Sequence, residues 1–171
     1  YQTMIHFNGR RFDLPFILER CRQLHILCPL SSFSEFDLYQ NIRPLKQLLK
    51  LENLTQRYLE QYLDIQRIDS YSGKQLIAIY HSYQKQLSSQ LETALFVHNY
   101  EDLTGMTAIV PLLSFHSLKE GNFSIKSVLP IEDPVHGFSL KISVTLPYVL
   151  PLPVSFKNAY GAFSAKEKGD R

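Results

Sequence analysis

A mixed α/β fold with a small β-rich extension at its C-terminal end is predicted by three observations. A short apolar run, Thr3-Met4-Ile5-His6-Phe7, stops at Asn8-Gly9 and hands over to helical spacing. Helical periodicity then recurs in successive segments up to about residue 118. Beyond residue 120 the period becomes two: Phe138, Leu140, Ile142, Val144 and Leu146 alternate with Ser139, Lys141, Ser143 and Thr145. A change of period from 3.6 to 2 marks a change from helices to a strand with one buried face.

Each element has its own local reason. Residues 3–7 read as a strand closed by the Asn-Gly turn. Phe16, Ile17, Cys21 and Leu24 recur at helical spacing, so the pattern predicts a helix over residues 14–26. Pro29 and Ser31, Ser32 and Ser34 read as loop. Residues 36–50 read as largely helical, with Leu45, Leu48 and Leu49 inward and Pro44 near the start of a turn. Residues 54–63 predict a short helix capped by Asn53. Ser72-Gly73-Lys74-Gln75 has the spacing of a capping box, and Leu76, Ile77, Tyr80 and Tyr83 continue one helical face. A helix from Ser88 or Ser89 runs through Leu91, Leu95 and Phe96 and is expected to break at His98-Asn99. Another is expected from about Glu101 to Leu118, kinked at Pro111. In the extension, Phe123, Ile125 and Val128 suggest a partner for the alternating strand, while Pro147, Pro151 and Pro153 oppose further pairing. The change of character near Glu120-Gly121 divides the chain into residues 1–118 and 119–171.

Composition sets bounds on function. The 171 residues are 44% hydrophobic and 20% charged, as in ordinary globular domains. A net charge of +2 gives no bulk attraction for a polyanion, so a nucleic-acid site would have to be a local patch. Cys21 and Cys28, spaced C-x6-C, match no common zinc pattern and read as two reduced thiols beside a helix. No long apolar span calls for a membrane, and the cytoplasm is the expected location.

Two acids stand where chemistry is expected. Asp13, in Asn8-Gly9-Arg10-Arg11-Phe12-Asp13-Leu14-Pro15-Phe16, lies where a strand passes into a helix, beside the crevice in which open α/β sheets bind ligands. It reads either as a ligand there or as the N-cap of the helix. Arg10 and Arg11 beside it read as phosphate contacts or as plain surface charge. Asp102, in His98-Asn99-Tyr100-Glu101-Asp102, stands four residues after His98, so a helix puts both on one face. A carboxylate for a divalent ion and an imidazole able to take a proton from water are the minimum for metal-assisted hydrolysis. The alternative is a second cap, since Asn99 and Asp102 also have capping-box spacing.

Taken in order, these segments resemble the DEDD-type 3′–5′ exonucleases of the ribonuclease H-like superfamily. Asn8-Gly9-x-x-Phe12-Asp13-x-Pro15-Phe16 is similar to the second motif of that family, and His98-Asn99-Tyr100-Glu101-Asp102-Leu103 to the third. The stretch between, with Phe36-Asp37-Leu38-Tyr39, Leu59-Glu60, Arg67-Ile68-Asp69-x-Tyr71-Ser72-Gly73 and Tyr80-x-x-Tyr83, is similar to a predicted bacterial ribonuclease H-like branch. The similarity covers residues 1 to about 118. It implies an α/β ribonuclease H-like fold, N-terminally incomplete, followed by a small antiparallel β extension. It also implies four carboxylates holding two Mg²⁺ or Mn²⁺ ions about 4 Å apart. By this resemblance Asp13 and Asp102 are two of the four, His98 is the general base, and Asn8, Arg10, Arg11 and Asn99 touch the single-stranded end of DNA or RNA. Glu60, Arg67 and Asp69 match the intermediate stretch and are expected to be structural.

The sequence departs from the family in two places. The first motif, an Asp-x-Glu pair expected on a strand before residue 1, is not in the sequence. His98 and Asp102 have three residues between them, where the histidine subgroup of proofreading exonucleases has four. The expectations are therefore a nuclease domain that is inactive as this chain, with self-association or pairing with the first-motif segment. The competing reading is a nucleic-acid-binding or protein-interaction module on the same fold.

Overall fold

The structure, a computed structural model, describes residues 2–133, 137–158 and 161–165. The chain forms two compact units. The first comprises residues 1–43 and 52–110, the second residues 44–51 and 111–171.

The first unit opens with β1 (Thr3–His6), a 3₁₀ turn over Gly9–Arg11, and α1 (Asp13–Gln23). Asn8 makes the turn possible by adopting a left-handed conformation, φ 56°. The chain returns as β2 (Ser34–Asp37), parallel to β1 with His6 opposite Asp37. A helix linking two parallel strands is the economical βαβ connection. Asp37 ends β2 and caps α2 (Leu38–Ile42), its side chain accepting from the Tyr39 N–H. Then come α3 (Gln56–Tyr62), α4 (Gly73–Lys85) and α5 (Ser89–Ile109), and α5 packs against both α3 and α4. Leu38, Ile42, Leu59, Leu76 and Ile109 are buried. Among the described residues of α1, none is buried.

The second unit contains the Pro44–Leu51 segment, which buries Leu45, Leu49 and Leu51. After a 3₁₀ turn over Val110–Phe115 come α6 (His116–Lys119) and two antiparallel hairpins. One pairs β3 (Ser124–Asp133) with β4 (Gly137–Thr145), and the other β5 (Val154–Asn158) with β6 (Gly161–Ala165). Leu112, Phe115, Leu150 and Val154 are buried.

The strand at residues 3–7, the helix after it, the capping box and the β3–β4 pairing are found where the sequence places them. Ser72 and Gln75 make both halves of the box, each accepting from the other's backbone N–H. The mixed α/β architecture agrees with a ribonuclease H-like fold.

Other expectations are corrected. Ser34, Phe36 and Asp37 belong to a strand rather than to loop and helix, because β1 offers them a parallel partner. Thr55 caps α3 instead of Asn53, whose Oδ1 accepts from the Leu54 and Thr55 N–H groups one step earlier. α5 runs unbroken through His98-Asn99, so the capping alternative for Asn99 and Asp102 falls. Asp13 is the first residue of α1, not its cap, and no side chain caps that helix. Pro111 lies in the 3₁₀ turn rather than kinking a helix. On β4, Leu140 and Ile142 remain about half exposed, on a hairpin of two strands. The inward placement expected of Phe138 lies outside the described side chains. The β5–β6 hairpin forms in spite of Pro147, Pro151 and Pro153, which all precede it.

Cys21 and Cys28 are free thiols, and the hydrogen bond between them, ahead of burial, raises the Cys21 thiol. Among the described residues no helix is long and apolar enough to cross a membrane.

Candidate active site

Two polar clusters lie in the first unit. The first gathers where β1 and β2 end. The Asn8 and Tyr39 N–H groups donate to Asp37 Oδ1 at 2.9 and 3.0 Å, tying the turn after β1 to the start of α2. The Gly9 N–H donates to His6 Nδ1 at 3.1 Å. His6 Nε2 faces Glu35 Oε2 at 3.6 Å, beyond hydrogen-bond reach. That nitrogen and Asp37 Oδ2 are buried without a hydrogen-bond partner among the described residues. Arg10 donates through Nε to Glu35 Oε2 at 2.6 Å and, as the leading cause, lowers the Glu35 carboxyl below its ordinary value. Asp13 and Arg11 are exposed nearby in the chain. An acid in the first turn suits the positive end of a helix.

The second cluster is built by α3, α5 and the loop between α3 and α4. Glu60 on α3 is buried with its side chain 1% exposed. Arg67 from the loop grips it at two points, Nη2 to Oε1 at 2.7 Å and Nε to Oε2. The third arm of the guanidinium, Nη1, donates to Asp102 Oδ1 at 2.7 Å. The Glu60 carboxylate first, and Asp102 after it, raise Arg67 above its ordinary value against the opposing effect of burial. Gln56 Nε2 joins the same group, donating to Glu60 Oε1 at 2.9 Å and to the Asp102 carbonyl at 2.7 Å. Gly105 lets α5 approach this closely: a Cβ there would lie 1.9 Å from Glu60 Oε1.

One turn earlier on α5, His98 stands between two carboxylates. Its Nε2 is 3.1 Å from Asp102 Oδ2 and its Nδ1 is 2.5 Å from Asp69 Oδ2. Asp69 also accepts from the Tyr71 N–H at Oδ1 (2.8 Å) and from Arg57 Nη2 at Oδ2 (3.1 Å). Burial alone would raise the Asp69 carboxyl. The hydrogen bonds from His98 and the Tyr71 N–H, with His98 and Arg57 close by, outweigh it and hold the carboxyl below its ordinary value. Glu101 closes the arrangement by accepting from the Ile68 and Asp69 N–H groups at 2.7 and 2.9 Å. A cleft of about 230 Å³ opens beside the network, lined by Arg57, Glu60, Arg67 and Asp69 among others.

The structure therefore brings His98 and Asp102 together, as their spacing predicts, and adds Arg67 and Asp69 from the stretch expected to be structural. Asn8 and Arg10 belong to the other cluster. Asn99 is exposed on the rim of a separate groove of about 290 Å³ with Tyr80, Tyr83, Glu92, Leu95 and Phe96. Among the described residues, no hydrogen bond or ion pair links Asp13 to Asp102. Arg57 and Glu101 enter the network without a motif of their own, and the local signal for Glu101 is its neighbour Asp102.

The fit to a two-ion centre can be judged from these side chains. Asp102 offers two oxygens, one already accepting from Arg67 and the other beside His98. Among the described residues, no three His, Cys, Asp or Glu side chains gather where an ion could be held. The residues present do not by themselves make such a centre.

In comparison with known proteins, a family model of the RNase H superfamily matches residues 1–114. No curated protein and no solved structure matches.

Proposed function

Because the chain belongs to the RNase H superfamily, a nuclease fold that acts on nucleic acid and generally employs divalent metals, we propose that it is a 3′–5′ exonuclease domain of the DEDD type, acting on the single-stranded end of DNA or RNA. The observation that carries this reading is the His98–Asp102 pair, 3.1 Å apart on one turn of α5 and each held from the far side by a second residue. A half-exposed carboxylate beside an oriented imidazole suits proton transfer from a water at a phosphodiester. In this reading Asp102 and Asp13 contribute oxygen ligands for Mg²⁺ or Mn²⁺, His98 accepts the proton, and Asn8, Arg10, Arg11 and Asn99 meet the nucleic acid. Bound metal would supply charge stabilisation of the reacting phosphate.

The ligand count limits the activity. Two carboxylates do not hold two mutually repelling cations, so this chain by itself is inactive or nearly so, and further carboxylates complete the centre. The exposed Phe12, Phe16, Ile17 and Leu18 support self-association of the chain or pairing with the segment that supplies them. The family match ends at residue 114, which supports treating residues 119–171 as an extension.

A second reading, a nucleic-acid-binding or protein-interaction module without catalysis, is favoured by one observation: both Asp102 oxygens already have partners. The test is release of nucleotides from single-stranded DNA and RNA with Mn²⁺. This chain is compared with a longer form carrying an Asp-x-Glu strand ahead of Tyr1, and with that form as Asp102→Ala. Release by the longer form alone, lost with Asp102→Ala, is expected. A longer form that binds both nucleic acids and releases nothing would favour the second reading.

A further inference from the structure

We propose that Asp69 is a positioning residue that orients the His98 imidazole toward Asp102. The proposal deepens the nuclease reading and rests on it for what the His98–Asp102 pair does. The orientation itself can be tested without any activity.

A carboxylate whose side chain is 1% exposed needs partners to offset its lost hydration. Asp69 has three, and they divide by role. Tyr71 and Arg57 belong to the local architecture: the Tyr71 N–H takes Oδ1, and Arg57 reaches Oδ2 while also donating to the Asp69 and Tyr71 carbonyls at 2.7 and 3.2 Å. The loop backbone is secured separately, since Glu101 receives the Ile68 and Asp69 N–H groups. The loop would therefore stay in place without the third partner. That partner is His98 Nδ1, 2.5 Å from Oδ2 and 29 positions away in sequence.

The contact acts on the ring. The terminal torsion of histidine is broad and two-fold, so an imidazole 24% exposed on a helix surface has no single orientation fixed by its own rotamers. A carboxylate fixed against Nδ1 selects the orientation that presents Nε2 elsewhere, the arrangement by which buried acids steer imidazoles in hydrolytic and metal sites. Here Nε2 is presented to Asp102 Oδ2. The same short loop sends Arg67 to the other oxygen of Asp102, so Arg67, Ile68 and Asp69 address Asp102, Glu101 and His98 in turn. The loop thus sets the geometry of one turn of α5, and Asp69 is the member that acts on the imidazole.

The experiment is NMR of the histidine rings in the ¹⁵N-labelled full chain, with His98 assigned by His98→Gln. In the wild type a proton on Nδ1 of His98 is expected to be protected from exchange with water. Asp69→Asn keeps the size and the Tyr71 bond but can turn an amide donor toward Nδ1, and it should lose that signal. Arg57→Ala removes an anchor of the loop, leaves the carboxylate, and should keep the signal. If Asp69→Asn does not fold by circular dichroism, Asp69→Ala, which has no acceptor for Nδ1, is compared in its place and should also lose it. Retention of the protected proton in the Asp69 variant, or its equal loss in Arg57→Ala, would overturn the proposal. Broadening of the same ring by added Mn²⁺ reports on the metal reading alone, so failure there leaves the positioning result standing.

Discussion

Arg67 and Glu60 form a two-point ion pair with side chains 9% and 1% exposed, and the remaining arm of Arg67 extends to Asp102. Removing one member of such a pair leaves a charge stranded in a poorly hydrated place. Arg67→Ala should therefore lower stability by about 3–5 kcal/mol, measured by urea denaturation. Arg67→Met combined with Glu60→Gln should recover part of that loss. A loss well under 1 kcal/mol in the single variant would mean that water or a neighbour takes over the Glu60 carboxylate.

The Asp69 carboxyl is held below its ordinary value of 3.8. A group lowered in the folded state contributes stability that is present above its unfolded value and is lost as pH falls through the lowered one. As pH falls from about 5 through the ordinary carboxyl value and below it, wild type should lose more stability than Asp69→Asn, so the two denaturation curves converge in acid. Parallel curves across that window would contradict the assignment.

Ser72 and Gln75 close the start of α4 reciprocally. Ser72→Ala should cost about 1 kcal/mol of stability and leave the His98 ring signals unchanged. A thermal melt with the same NMR spectrum checks both halves.

In a longer form that releases nucleotides, His98→Gln should lower kcat about 10²- to 10⁴-fold while binding of single-stranded DNA is retained. Full activity in that variant would remove His98 from proton transfer and leave it as a structural contact of Asp102.

What the sequence reveals and what it hides follow from range. Ser72 and Gln75 were readable because the box is satisfied within three residues, and β4 because alternation is a local period. The four-residue β2 carries no period, and its identity comes from β1, 31 positions away in the Thr3–Ser34 pair. α5 looked broken at His98-Asn99 because polar residues usually mark ends. They are tolerated mid-helix here because Asp69 meets His98 from the loop and Asn99 is exposed. His98 and Asp102 were legible from i,i+4 spacing, whereas the contacts that orient them cross 29 and 35 positions and leave no local trace. Asp69 accordingly looked like scaffolding.

The bare Cα at position 105 limits how this region can vary. Glycine in the middle of a helix is ordinarily a weakness, and replacement by alanine usually strengthens the helix by roughly 1 kcal/mol. Here every alternative residue brings a Cβ into an oxygen that Arg67 and Gln56 already hold in place. Gly105→Ala should reverse the usual sign and destabilise by about 1–3 kcal/mol. In a saturation library scored for folding, all substitutions at 105 should fail alike, whatever their polarity or charge, while the exposed neighbours Leu103 and Thr104 accept many. Such a position records volume rather than chemistry, and it allows the ion network to be compressed with every formal charge left in place.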